Sequence, residues 1–389
     1  MQVKAPLPLY LTVKEIWRNR LRFALVIGVI ALLTILVLFT AALAEGLGAG
    51  NREYLAKLEA DLVVYQSDSD LQIAASRIDQ ATLRALRRVE GVKSVGPIAF
   101  SSASIVSGGN GRPLDIALLG VVPGQPGEPP VVTGRGLSRA DANEVVLDRN
   151  TADRTGLQVG DRFTLRSVQG PDEKFYDLTV VGISDGRQYS LRPTVILPHR
   201  TWDKVRAKAT VTDEPGEVIF NVAAVQLDNP ARQTAMASKI AAEVQKVVGV
   251  DKVTAYKKTP GYNEQQSTLT TQQIFSLLIG GLVVGGFFQI QMLQRVGQIG
   301  MLKAIGASNL TIALAFLLQI IVVTALGVAV GGIGVLLLAK GLPTAVPVAF
   351  RADGVGVTIL LLLLIGPLGG AVAVRSLLKI EPLTALRLS

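Results

Sequence analysis

Four long uncharged stretches alternate with charged segments along this 389-residue chain. They lie at residues 23–44, around 274–293, within 304–339 and at 354–374. An α-helix rises about 1.5 Å per residue, so about 20 apolar residues cross the hydrocarbon core of a bilayer. The pattern therefore predicts four transmembrane helices, over 23–44, 272–294, 310–339 and 354–374.

The segment between the first two spans, 45–271, has the composition of a folded α/β domain. Residues 60–66 read as a strand, followed by a helix and a strand up to residue 100. Residues 217–228 begin the same series again, and we expect the two helices to end at Gly91 and Gly249, where glycine relieves strain. These two βαβ-type units predict a porter-like module over 52–100 and 216–260. Strand and turn signals fill 101–215 and predict an inserted, mostly-β module.

The fold class expected from these patterns is an α-helical membrane protein with an α+β extracytoplasmic domain between helices 1 and 2. Charge sets its orientation. Residues 1–22, the loop at 295–309 and the tail at 375–389 are net basic, whereas 45–271 holds equal numbers of basic and acidic residues. The positive-inside rule then places both termini in the cytoplasm and the loop at 340–353 outside, in a multi-pass protein of the bacterial plasma membrane.

Two features of the N-terminus have alternative interpretations. Residues 1–22 form an amphipathic helix at the inner interface or simply a basic flank. Residues 42–44 resemble a signal-peptide cleavage site, but the basic lead and the apolar stretch are both too long for a cleaved signal, which favours an uncleaved anchor. The basic pI of 9.7 reflects topology and requires no nucleic-acid partner.

Candidate chemistry is scarce in this sequence. It contains no G-x-x-x-x-G-K-[ST] motif, so we expect no bound ATP in this chain. The glycine-rich residues 45–51 (EGLGAGN) are interpreted as a flexible exit from the bilayer. With His199 as the only histidine and no cysteine, a zinc site or a thiol nucleophile is excluded. We predict no catalytic residue, no metal site and no cofactor, and therefore not an enzyme.

The spans contain small and polar residues but no charged ones. Glycines four apart, at 281/285, 327/331 and 366/370, indicate close helix approach, within the bundle or across a dimer. Gln289, Gln291, Gln319 and Thr324 are polar groups that need partners, which either interhelical hydrogen bonds or a transport path would supply. No Asp, Glu, Lys or Arg lies within a span core, which argues against a proton or ion relay and indicates that the energy comes from elsewhere.

The loop between spans two and three carries the most specific motif. It reads RVGQIGMLKAIGASNLTIALAFLLQ from Arg295 and is similar to the signature of the FtsX/MacB-like permease superfamily. Other stretches resemble the same family: IWRNRLRFALVIGVIAL at the first span, NEVVLDRNTADRTGLQVGDRFTL and LTVVGI in the outer segment, and LLKIEPLTALR in the tail. The sequence departs from the signature at Gln298, where the family often has an acidic residue.

The resemblance implies the permease subunit of a type VII ABC transporter. Such a subunit pairs with a second copy or a sister permease and is powered by a separate ABC ATPase, which holds ATP and magnesium. Residues 295–309 would be the coupling helix seated in that ATPase; an amphipathic loop resting on lipid is the alternative. The predicted contact residues are Ile299, Gly300, Met301, Leu302, Lys303, Ala304, Ile305, Gly306, Ala307 and Ser308.

Their chemistry agrees with this role. Ile299, Met301, Leu302 and Ile305 would supply apolar contact, and Lys303 would meet surface acids of the ATPase. The glycines and Ala307 would allow close approach, and Ser308 would cap the following span.

The expected function is mechanotransmission that exports or extracts a lipophilic, lipopeptide, heme-like or lipoprotein substrate. Substrate would enter laterally from the membrane beside Glu45 and Tyr54, and a membrane-fusion protein is a possible further partner. The alternative is an FtsX-like, non-transporting signal transmitter that activates a cell-wall hydrolase. A large two-module insert favours transport.

Overall fold

The computed structural model describes residues 20–107, 113–208, 219–342 and 346–378. Most of the predicted N-terminal helix (1–22) and of the tail (375–389) lies outside these ranges. The helices are α1 (Arg20–Ala56), α2 (Gln80–Leu86), α3 (Arg149–Thr155), α4 (His199–Val205), α5 (Gln233–Glu243), α6 (Lys252–Lys257), α7 (Tyr262–Leu293), α8 (Val296–Ala304), α9 (Asn309–Gly341) and α10 (Ala352–Leu378). The strands are β1 (Leu62–Gln66), β2 (Val92–Ser107), β3 (Leu114–Val121), β4 (Val131–Gly134), β5 (Glu144–Leu147), β6 (Arg162–Gln169), β7 (Asp172–Ser184), β8 (Thr194–Pro198), β9 (Val222–Leu227) and β10 (Val247–Asp251).

The chain divides into two compact units. The helical unit comprises the chain up to Gly46 and from Gln266 onward, and the outer unit comprises Leu47–Gln265. Helix α1 contributes residues to both units.

Three helices of the described chain are long and apolar enough to cross a membrane: α1, α7 and α9. In α10 the apolar stretch found among the described residues is the shorter Gly354–Gly370. The fourth span therefore stays a prediction, although α10 as a whole is 27 residues long.

Glycines pack the helical unit together. A Cβ added to Gly285 would lie 2.7 Å from the carbonyl oxygen of Gly369, which shows how closely α7 and α10 approach. A Cβ on Gly327 would lie 2.5 Å from the Ile30 side chain of α1, and one on Gly366 would lie 2.0 Å from the Thr324 hydroxyl of α9. These contacts lie within one chain, so the structure accounts for the spaced glycines by packing within the bundle.

Several polar atoms that were expected to pair between helices have no partner in the described part of this structure. Gln291, Gln319 and Thr324 are all buried. Within the part of the chain that the structure describes, Gln291 Oε1 and Nε2, Gln319 Nε2 and Thr324 Oγ1 have no hydrogen-bond partner. For these four atoms the structure does not confirm the expected interhelical hydrogen bonds.

The outer unit contains a ten-stranded sheet. Its order is β10-β1-β9-β2-β3-β8-β5-β7-β4, with β6 paired to β2 and β7. In the first four strands every neighbour is antiparallel. Helix α2 connects β1 to β2 and α5 connects β9 to β10, so two split βαβ units are interleaved. The boundary predicted at residues 100/101 falls inside β2, so both parts share one continuous sheet.

One hydrophobic core covers each face of this sheet. On one face Leu83 and Leu86 of α2 pack with Ile240 of α5 and Trp202 of α4. On the other face the end of α1 packs against the sheet through Tyr54, Leu55 and Leu58. Successive side chains of a strand point to opposite faces of the sheet, so continuous apolar stretches supply both cores. In β1, for example, Leu62 and Val64 enter one core and Val63 and Tyr65 enter the other.

Two local predictions are wrong. The glycine-rich residues 45–51, predicted as a flexible exit, continue α1. Gly46 is required there because an added Cβ would lie 1.9 Å from the carbonyl oxygen of Pro347. The second repeat helix ends at Glu243 and not at Gly249, which lies within β10 opposite Val64.

Residues after β10 also differ from the expected strand. They form α6, because the Asp251 carboxylate accepts the Val253 and Thr254 N–H groups and caps a helix. In the first repeat, helix α2 ends at Leu86, and Gly91 (φ +96°) forms the turn that leads into β2.

Candidate functional site

The predicted coupling segment folds as a short helix with defined ends. Helix α8 begins one residue after Arg295 and ends at Ala304. Gly306 follows with φ +94°, a left-handed conformation that a side chain disfavours. The Ser308 hydroxyl then accepts the Thr311 N–H at 3.2 Å and caps α9. The turn between α8 and α9 is therefore set by a glycine and a serine that the sequence places two residues apart.

The apolar residues of this segment divide into buried and exposed groups. Ile299 is 4% exposed and belongs to the core of the helical unit. Met301 and Ile305 are 60% and 76% exposed. Ile299 was predicted to contact the ATPase, but its burial makes it an anchor of α8 instead. The side chains of Leu302 and Ala304 lie outside the described part of the structure.

The small residues divide in the same way. Gly300, which was predicted to allow close approach of the ATPase, is buried in this structure. Gly306 is exposed, and an added Cβ there would meet nothing within 4 Å. Ala307 packs against the core of the helical unit. Lys303 is half-buried at the end of α8.

A contact that the sequence did not indicate fixes the approach to α8. Arg22 Nη1 of α1 donates to Gln294 Oε1 at 2.7 Å. Gln294 immediately precedes Arg295, so this bond ties the first turn of α1 to the start of the coupling segment. The two residues are 272 positions apart, and no local pattern could pair them.

The proposed lateral access residues lie in different environments. Arg351 Nη1 and Glu45 Oε1 form an ion pair at 3.4 Å in the helical unit. Tyr54 is 0% exposed, and its ring packs against Tyr189 with the centroids 6.1 Å apart. The assignment of Tyr54 to an access surface is wrong for this structure, because its side chain is part of the outer-unit core.

The described residues contain no group of three or more His, Cys, Asp or Glu that could hold a metal ion. His199 is half-buried beside Phe220, with the ring centroids 5.8 Å apart. Burial lowers the pKa of His199, the positive charge of Arg200 lowers it further, and Asp203 opposes the shift. These surroundings favour the neutral imidazole as a packing group.

Two family models match the chain. The MacB-like periplasmic core domain matches residues 23–243, and the FtsX-like permease C-terminal domain matches residues 273–382, which include α8.

Curated relatives match nearly end to end. The "Putative hemin transport system permease protein HrtB" of Staphylococcus epidermidis is 24% identical over 377 residues, covering 96% of this chain and 97% of the relative. Its counterpart in Staphylococcus haemolyticus is 22% identical, with the same coverage of both chains. An uncharacterized ABC transporter permease of Mycobacterium bovis is 25% identical over 95% of this chain and 96% of its own length.

Solved structures similar to the outer part include the extracellular domain of the noncanonic ABC-type transporter YknZ from Gram-positive bacteria, at 13% identity and a TM-score of 0.35. That match covers 49% of this chain and 99% of the YknZ domain. The periplasmic region of MacB from Actinobacillus actinomycetemcomitans is 14% identical with a TM-score of 0.34, covering 52% of this chain and 94% of that one. On the family models and the end-to-end relatives, the chain belongs to the MacB/FtsX-like family of ABC transporter permeases.

Proposed function

We propose that this permease couples ATP hydrolysis on a separate subunit to movement of its outer unit. The ATPase would grip α8, and the helices would carry the motion to Leu47–Gln265. ABC transporter permeases work with ATPase subunits, and this chain has no phosphate-binding loop of its own. A second permease copy would complete the assembly.

The observation that supports this proposal is the division of α8 into a fixed side and an open side. Ile299 holds the helix in the core of the helical unit, while Met301 and Ile305 project outward. A coupling helix needs an exposed surface that the ATPase can bind. It must also pack firmly against the helical unit, so that movement of the ATPase is transmitted to the other helices. Exposed apolar side chains beside a rigid backbone are also what a docking interface buries.

The proposed membrane arrangement follows from charge. The four apolar helices would span the plasma membrane, with both termini and α8 on the cytoplasmic side, because the basic excess lies in those segments. The outer unit would then lie beyond the membrane, where an ATPase in the cytoplasm can act on it only through the helices.

The proposed cargo is a hydrophobic or amphiphilic molecule of the size of a porphyrin or a lipopeptide. The apolar stretches hold no charged side chain and so offer no lining for an ion path. The Staphylococcus relatives carry hemin transport in their names, which supports hemin as the first molecule to test. Glu45, which pairs with Arg351, stays the candidate residue for the proposed lateral access of substrate along α1.

The coupling proposal is tested with the permease and its ATPase coexpressed and purified in detergent. We expect Met301→Glu to abolish copurification of the ATPase, because a charge would be buried in an apolar contact. Val168→Glu, which changes an exposed valine of β6 in the outer unit, is the matched control and should leave the complex intact. An unchanged yield of ATPase with Met301→Glu would contradict the proposed docking surface.

The cargo proposal needs a separate assay. In proteoliposomes we expect hemin or an acylated peptide to stimulate ATP hydrolysis by the wild-type complex. A hydrophilic peptide of the same length as the acylated peptide is the control and should have no effect. Stable copurification of a cell-wall hydrolase, with no stimulation by any lipophilic compound, would favour the signal-transmitting alternative instead.

A further inference from the structure

A loop of the outer unit engages the end of helix α1 through its backbone. We call residues 185–192, between β7 and β8, the clamp loop. The Tyr54 N–H of α1 donates to the Gln188 carbonyl oxygen at 3.2 Å, and the Leu191 N–H donates to the Gly50 carbonyl oxygen at 3.1 Å. In a regular α-helix these two helix groups, four residues apart, are partners of each other. The clamp loop thus bonds both the donor and the acceptor of one position in the α1 hydrogen-bond pattern.

Side chains reinforce this engagement at the last turn of α1. Arg187 Nη1 donates to the Lys57 carbonyl oxygen at 2.6 Å, and Arg187 Nε donates to Asp185 Oδ1 at 2.6 Å. The Lys57 ammonium group in turn donates to the Gly186 carbonyl oxygen and lies 3.4 Å from Asp185 Oδ2. A buried guanidinium at the carboxyl end of a helix also interacts favourably with the helix dipole.

The carboxylate at the centre of this network is held in its charged form. Burial raises the pKa of Asp185, but hydrogen bonds and the positive charges of Arg187 and Lys57 outweigh burial and lower it below the usual value. The network therefore stays ionised at neutral pH, and the loop and the helix are joined by charge-assisted bonds in both directions.

Close packing leaves little freedom between the helix and the loop. A Cβ added to Gly50 would lie 2.8 Å from Leu191 Cδ2 and 3.0 Å from Gln188 Oε1. One turn further on, Tyr54 packs edge-on against Tyr189, which itself packs on Phe100 of β2 with the ring centroids 4.9 Å apart. A shift of the helix end would therefore displace the loop rather than slide past it.

The clamp loop adopts an unfavourable backbone to reach the helix. Tyr189 and Arg192 exchange backbone hydrogen bonds of 3.3 and 3.1 Å around Ser190 and Leu191, whose φ angles are 52° and 61°. Two central residues with positive φ are the mark of a type I′ turn, which favours Asn-Gly. Each non-glycine residue in this conformation costs about 1–2 kcal/mol. The contacts with α1 hold the turn in this form.

The loop leads directly into the interior of the sheet. Strand β7 ends at Ser184 and pairs with β4, β5 and β6, and β8 begins at Thr194 and pairs with β3 and β5. We propose that the clamp loop is the connection through which displacement of α1 moves β7 and β8, with Arg187 and Leu191 as the positioning residues. This inference rests on the mechanotransmission proposed above and names the route that it takes in the outer unit.

The test is hydrogen–deuterium exchange on the permease–ATPase complex in lipid nanodiscs, without nucleotide and after trapping with ATP and vanadate. In the wild type we expect a nucleotide-dependent difference both in peptides of the helical unit and in peptides covering 172–198. With Arg187→Ala the difference in 172–198 should be lost, while ATP hydrolysis and the difference in the helical unit persist. Arg135→Ala should behave as the wild type, because Arg135 also pairs with a carboxylate and a backbone carbonyl but does not touch α1.

Leu191→Gly is the second variant. It removes the side chain packed on Gly50 and suits the positive φ, so the turn itself should fold. A purely structural role of the loop would lower the unfolding temperature of both variants without erasing the nucleotide-dependent difference. If both variants keep the nucleotide-dependent difference in exchange that the wild type shows in 172–198, the proposed role of the clamp loop is wrong. If nucleotide changes exchange nowhere in the wild type, the coupling proposal itself fails, and the two failures are distinguishable.

Discussion

Two isoleucines six residues apart in the coupling segment should respond to substitution in opposite ways. Full burial of an isoleucine side chain is worth about 1.5–3 kcal/mol. Ile305 is 76% exposed, so docking of the ATPase would remove about three quarters of its surface from water and contribute about 1–2 kcal/mol. Ile305→Ala should therefore weaken the complex about 5- to 30-fold, since about 1.4 kcal/mol is tenfold in affinity. The stability of the permease should not change.

Ile299→Ala should show the reverse. Ile299 is buried in the core of the helical unit, and truncating a buried isoleucine typically costs about 2–5 kcal/mol of folding free energy. The assay pairs binding of the purified ATPase to immobilised permease with thermal unfolding of each variant in the same detergent. The reasoning is refuted if Ile305→Ala binds the ATPase like the wild type, or if Ile305→Ala lowers the unfolding temperature as much as Ile299→Ala does.

Three further substitutions test the helical packing, the outer unit and the turn after α8. Gly285→Leu should lower the stability of the purified protein by about 1–3 kcal/mol, because its Cβ meets the backbone of Gly369, whereas Gly286→Leu faces open space and should be neutral in thermal unfolding. Glu144, whose pKa falls from 4.5 to about 2 mainly through its hydrogen bond from an arginine, should stabilise the fold fully above pH 4.5. The difference in free energy of unfolding between the wild type and Glu144→Gln, measured by chemical denaturation, should shrink as the pH falls toward about 2. Gly306→Val forces a β-branched residue into positive φ and should abolish ATPase stimulation while membrane insertion, checked by fractionation, persists.

The long apolar helices could be predicted from the sequence because their signal is local. The predicted span at 310–339 lies within α9 and differs from it by one or two residues at each end. The predicted span at 272–294 ends one residue beyond α7, but α7 begins ten residues earlier than predicted. Their ends in the water-exposed parts were less predictable. Helix α1 continues through the glycines at 46 and 50, because each glycine accommodates a distant segment that no window of neighbouring residues reveals.

The strands of the outer unit were predictable for a similar reason, and their pairing was not. Apolar, β-favouring stretches bounded by turn signals predict β1, β3 and β6 individually. They do not say that β9 inserts between β1 and β2, since that order depends on contacts between segments more than 100 residues apart. The wrong end of α5 has a local cause. The valines at 244 and 247 continue a helical spacing, but the chain turns to β10 through Lys246 at φ +59°.

The coupling segment was predictable as a motif but not as a surface. Ile299 and Ile305 are chemically identical, and helical spacing alone cannot say which one the helical unit covers. The answer depends on where α8 lies against the other helices, and in this structure it is Ile299 that belongs to their core. The sequence therefore predicts the segment as a candidate site, and the structure shows which of its side chains are buried and which are exposed.

The contacts at the two ends of α1 support the transmission role that we propose for this helix. Its 37 residues would extend about 55 Å at 1.5 Å per residue. Its first turn is bonded through Arg22 to the residue before the coupling segment, and its last turn is held by Arg187 and the clamp loop. Helix α1 is continuous through Gly46 and Gly50 and reaches the turn that the clamp loop engages. The glycines that the sequence analysis interpreted as a flexible exit are, in this structure, helical positions at which Pro347 and Leu191 approach the α1 backbone closely.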